Sequence, residues 1–108
     1  MTDIGQILSG LLLRTAEGKL KWSPSARENR FVTSLDAISV VIEETQEYGR
    51  NTYRLDIFGE SGDIVDSLSF RDISDEQDEE LARLFMLARR SANNIDSTLE
   101  KLAKALDL

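Results

Sequence analysis

The last third of the chain constrains the fold most. Leu81, Phe85, Ala88, Ala92, Ile95, Leu99, Leu102 and Leu106 follow one another at alternating steps of four and three residues. That is a seam with a mean period of 3.5, which a helix can produce and a strand cannot. The start of the helix is equally marked. Ser74 is placed to cap, and Gln77 three residues on completes a Ser-x-x-Gln capping box. Asp75, Glu76, Asp78, Glu79 and Glu80 fill the first turns, where unpaired amide protons and the helix dipole favour negative charge. The spacing predicts one helix over residues 74–106.

Such a helix rises about 1.5 Å per residue and would reach roughly 50 Å. A compact domain of 108 residues has a radius of gyration near 13 Å, hence a diameter of about 34 Å. Three outcomes follow: a break near Asn93-Asn94, an extension over another helix, or packing against a second copy. The seam runs through Asn93 and Asn94 without a phase slip, which argues against the break. Leu84, Met86 and Leu87 widen the apolar surface of the first half, whereas Asp96, Glu100, Lys101 and Lys104 narrow it in the second. The expected outcome is a homodimer whose interface uses Phe85, Met86, Ala92, Ile95, Leu99, Leu102 and Leu106.

Upstream, Ile4, Ile7, Leu8, Leu11 and Leu12 share a helical face, with Asp3 or Thr2 to cap and Gly18 to terminate. A helix over residues 3–17 follows, in which Gly10 lies off the centre of the apolar stripe. Lys19-Leu20-Lys21-Trp22 alternates basic and apolar residues and reads as a short edge strand ended by Pro24. Residues 31–44 change parity partway: Phe31 and Leu35 are odd, whereas Ile38, Val40 and Ile42 are even. A tight turn or bulge near Asp36-Ala37 keeps one face on the core. Residues 44–51 read as a polar loop turning at Gly49. Tyr53, Leu55 and Ile57 then alternate with polar neighbours, and Glu60-Ser61-Gly62 closes a hairpin. The returning strand points Ile64, Leu68 and Phe70 inward, with Asp66 as a polar break that local pairing explains.

Helix, a run of antiparallel strands and a further helix describe an α+β fold in one domain over residues 1–108, with a sheet of three to five strands and the long C-terminal helix packed on one sheet face. The other face carries Ser39, Glu43, Arg54, Asp56, Ser67 and Ser69, with Val41, Phe58 and Val65 as apolar exceptions.

The chain has no histidine and no cysteine. Histidine-based triads, histidine metal ligands, thiolate chemistry and disulfides are therefore excluded, and no residue titrates near neutrality by default. No glycine-rich phosphate loop is present, and the acids lack the spacing of an EF-hand. The reading is of no catalytic residue, no cofactor and no metal. No apolar run approaches the roughly 18 residues that cross a bilayer, and a cytoplasmic, membrane-free protein is expected. The net charge is −7, and residues 71–80 hold six acids against one base. Phosphate binding needs a basic stripe, so nucleic acid is not an expected partner. Arg89-Arg90 reads as a solvated pair or a match for acids nearby.

Leu12-Leu13-Arg14-Thr15, Lys19-Leu20-x-Trp22, Phe31-x-x-Ser34-Leu35, Tyr53-x-Leu55 and Ala88-Arg89-Arg90 together resemble small bacterial α+β proteins to which no activity is assigned. The resemblance implies the same order of elements and a bacterial source, and it carries over no catalytic residue.

Two functions follow as expectations. The first is an interaction or accessory protein that binds itself and another protein. The alternative is an acidic inhibitor, of the immunity-protein or antitoxin kind, that covers a basic target such as a nuclease with Asp75, Asp78, Glu79 and Glu80. A carboxylate-dependent enzyme, which would need a deep pocket lined by acids, is the reading the residues support least.

Overall fold

The computed structural model describes residues 2–69, 71 and 73–108. Helix α1 (Ile4–Ala16) is followed by strands β1 (Ser23–Pro24), β2 (Arg30–Leu35), β3 (Ile38–Glu47), β4 (Arg50–Phe58) and β5 (Ile64–Ser69), then by helices α2 (Asp75–Ala92) and α3 (Ile95–Ala105). The five strands form one antiparallel meander in chain order, and the fold is α+β.

Both long helices begin as their sequences dictate. Asp3 and Gln6 form a reciprocal capping box at α1, and Ser74 and Gln77 form another at α2. The two helices lie side by side over the sheet and run in the same direction. Gln77 sits beside Gly5, Glu80 accepts a hydrogen bond from Ser9 Oγ (3.1 Å), and Leu87 and Arg90 lie near Thr15 and Ala16.

Beneath them, register places Phe31, Ile42, Leu55 and Leu68 opposite one another on four consecutive strands. All four are buried. Leu81, Leu84, Phe85 and Ala88 of α2 and Leu8 and Leu11 of α1 close the core from above. The Phe85 ring stands 5.5 Å from each of the Phe31 and Tyr53 rings, in tilted contact with both.

The sheet meets expectation at one turn and departs from it in three places. The parity change at Asp36-Ala37 is a two-residue turn with both residues left-handed (φ 48° and 66°), so residues 30–47 make two strands. The expected loop over residues 44–51 is instead strand on both sides of a second tight turn, Tyr48-Gly49. Pairing continues through Thr45 and Thr52, whose hydroxyls meet at 2.9 Å, to Glu47 and Arg50. Polar ladder residues carry no apolar alternation, which is why they read as loop. The expected strand at residues 19–22 is displaced to Ser23–Pro24, although Leu20 and Trp22 do face inward. The Trp22 amide donates to Ser91 Oγ of α2 (3.0 Å), and Thr33 Oγ1 donates to the Lys21 carbonyl, so these backbone groups do not join a ladder. Ile64, finally, is half exposed. A bulge at Ile57/Phe58 sets it opposite Phe58 and leaves Val65 as the extra residue. Phe70 and Asp72 lie outside the described residues.

Asp66 explains itself on the free edge of β5. Its Oδ1 accepts a hydrogen bond from the Ser67 amide (2.8 Å), occupying a donor that an incoming strand would need. On the open face Val41 is 5% exposed, not wet as its neighbours suggested. It is flanked in register by Val32 and Asp56, beside the Arg54–Asp56 ion pair (2.8 Å).

Left-handed backbone costs an L-residue with a β-carbon about 1–2 kcal/mol, and Ala37 has no side-chain hydrogen bond to offset it. Ala37→Gly creates the Asp-Gly pair that such turns favour and is expected to raise stability by about 1 kcal/mol in urea unfolding. An unchanged or lower midpoint would contradict the turn described here.

Candidate functional site

The expected rod is not continuous. Asn93 ends α2, its amide donating to the Arg89 carbonyl and that of Asn94 to the Ser91 carbonyl, and Asn94 adopts left-handed backbone (φ 52°, ψ 41°) before α3 begins. The two asparagines are poor helix formers, and Asn tolerates this conformation better than most residues. The Arg90 guanidinium bonds the Asp96 carboxylate across the corner.

The break divides the expected interface. Phe85 is core and is withdrawn from any partner. Ala92 is half-buried against the core, and Ile95 is half-buried. Met86 (55% exposed), Leu99 (52%), Leu102 (52%) and Leu106 (60%) remain open. No residue of α3 is buried. The Cα radius of gyration is 15.0 Å and the longest extent 50 Å. A compact chain of this length has a radius near 13 Å.

The acidic residues divide as well. Asp75, Glu76 and Glu79 are exposed, whereas Asp78 and Glu80 are half-buried against the body. Glu80 holds Ser9, and Asp78 lies close enough to Tyr53 to influence its phenol. Among the described residues no three acids converge as metal ligands would. Among the described residues no helix is long and apolar enough to cross a membrane.

A concave site that the sequence did not announce lies on the outer flank of α1, on the side away from α2. Ile7 and Leu11 of α1, Leu20 and Leu35 form the walls of a cavity of about 450 Å3, with Gln6, Arg14 and Lys19 also lining it. Leu35 and its pair partner Ile38 at the end of the β2–β3 hairpin are 48% and 39% exposed, and Ile7 is 38% exposed. Gly10 also lines the cavity, and a β-carbon built on it would meet no atom within 4 Å. The only hint in the sequence was Gly10, a helix-interior glycine with no turn to justify it. A second, smaller cavity of about 310 Å3 lies between the 25–29 loop and α2, lined in part by Arg27, Phe31, Arg89 and Asn93.

The chain matches no family model, no curated protein and no solved structure. The resemblance to small bacterial proteins therefore rests on the quoted residues alone.

Burial raises the Tyr53 phenol above its ordinary value of 10.0, helped by its hydrogen bond to Glu44 (3.0 Å) and the charges of Glu44 and Asp78; Arg89 acts in the opposite direction. The folded state thus favours the neutral phenol. Its contribution to stability is complete below the unfolded pKa, near 10, and is lost as pH rises through the higher folded value. Stability measured between about pH 9 and 11 is expected to fall more steeply for the native chain than for Tyr53→Phe. Parallel pH profiles would contradict this environment.

Proposed function

We propose that the chain is a small protein-binding module that associates with a second copy of itself through its C-terminal segment. The single observation that supports this reading is the uncovered stripe of α3. Three leucines at residues 99, 102 and 106 lie on one face, all at least half exposed, on a helix with no buried residue. An isolated helix of eleven residues is marginal in water, since nucleation is costly and few hydrogen bonds repay it. Covering the stripe would remove apolar surface from water at about 25 cal/mol per Å2 and hold the helix together.

The module would act by contact and not by catalysis, in keeping with a chain that has no histidine and no cysteine. A cytoplasmic location and a further protein partner belong to the same proposal. The alternative, an inhibitor of a basic target, would rest on Asp75, Glu76 and Glu79, since Asp78 and Glu80 are turned toward the body. Binding of that kind would weaken steeply with salt.

Light scattering across a concentration series is expected to give twice the chain mass at tens of micromolar. Leu99→Asp combined with Leu102→Asp should give a monomer whose body still unfolds cooperatively, because neither side chain belongs to the core, while the helical signal of α3 is lost. A native chain that is monomeric throughout would remove the proposal.

A further inference from the structure

The groove on the outer flank of α1 and the stripe of α3 are two unpartnered apolar surfaces on one chain, and they differ in shape. One is a trough and the other a ridge. We propose that the α3 ridge of one copy lies in the α1 groove of a second copy, so that a dimer forms by reciprocal exchange of α3; this rests on the self-association proposed above.

Four observations support the fit. First, α1 and α2 lie side by side, and the far flank of α1, bounded by the β2–β3 hairpin end at Leu35, is a helix position left empty in that layer. Second, the lengths agree. From Leu99 to Leu106 a helix rises about 10 Å, and from Gln6 to Arg14 about 12 Å. Third, Gly10 costs α1 roughly 0.5–1 kcal/mol relative to alanine, and nothing in its own chain approaches it. A helix laid into the groove would use that missing side chain, since small residues let helix backbones come close. Fourth, charge is complementary. Arg14 and Lys19 line the groove, and among the described residues no acid lies within ion-pair distance of Arg14. On α3, Asp96 is held by Arg90 of its own chain, and Glu100, one turn on, has no ion-pair partner among the described residues.

The corner at Asn93-Asn94 makes exchange accessible. The first turn of α3 already stands beside the end of α1, where Asp96 shares a hollow with Thr15, Gly18 and Lys21. A helix held out on a short hinge next to a groove that accommodates it is the usual setting for exchange between copies.

The chain has no cysteine of its own, so single-cysteine variants report position cleanly. Gly10→Cys and Leu102→Cys proteins are mixed at tens of micromolar and treated with a short bis-maleimide. The mixed 10–102 product is expected to exceed either self-linked product at least tenfold. Gly10→Leu, whose β-carbon would meet no atom of its own chain, is expected to raise the dissociation constant at least tenfold while leaving the thermal midpoint unchanged or higher at concentrations too low for the native chain to dimerise. Linkage only between two Leu102→Cys chains, together with dimerisation that survives Gly10→Leu, would overturn the exchange and leave self-association through α3 standing. Absence of every product with a monomeric native chain would overturn both. Linkage within one chain that carries both Gly10→Cys and Leu102→Cys, in a protein that stays monomeric, would place α3 in its own groove and overturn the exchange.

Discussion

One transverse row of side chains carries the structure. Phe31, Ile42, Leu55 and Leu68 sit opposite one another on four strands. Removing a large side chain from such a site costs about 2–5 kcal/mol, a large share of the 5–15 kcal/mol by which a typical domain is stable. The row fixes register, because a slip of one residue on any strand would send its member to the open face. It also fixes where α2 lies, since Leu81, Leu84, Phe85 and Ala88 have no other apolar surface of that size to cover. Everything that is left uncovered follows from this commitment. Once α2 is seated, Asn94 turns the chain away and α3 departs from the body.

The seam illustrates what a repeat does and does not encode. Its alternating steps of four and three correctly mark Leu81, Phe85 and Ala88 as facing the core. They say nothing about the backbone between Ala92 and Ile95. Two helices placed end to end can preserve the phase of a stripe while pointing it at different surroundings. Here the same pattern is core in α2 and open in α3. The information that divides them is local and weak: two asparagines, one of which tolerates left-handed backbone. The unbroken phase of the stripe favours a single rod, and the asparagines prevail over it.

Elsewhere, what was legible was whatever apolar burial dictates. The inward faces of β2, β3 and β4, the Ser74–Gln77 capping box and the turn at Gly62 are readable because they follow from periodicity or from a residue with one conformational role. The Thr45–Thr52 and Glu47–Arg50 end of the β3–β4 hairpin is not, since its pairing is held by backbone hydrogen bonds and polar side chains. Neither is the bond from the Trp22 amide to Ser91, which joins residues 69 apart in the chain and displaces the first strand. Asp66 was visible as an anomaly, and its explanation as an edge guard required the edge. The groove beside α1 was the least legible, because a cavity is the absence of side chains from several elements at once. Gly10 alone pointed to it.

In the proposed dimer, α3 is ordered by what a second copy places against it. Native-state hydrogen exchange read segment by segment at several protein concentrations tests this directly. Amides of Ile95–Ala105 are expected to gain protection as concentration rises, while those of the central strands keep the same protection throughout. Protection of α3 that is equal at every concentration, whether high or absent, would contradict it.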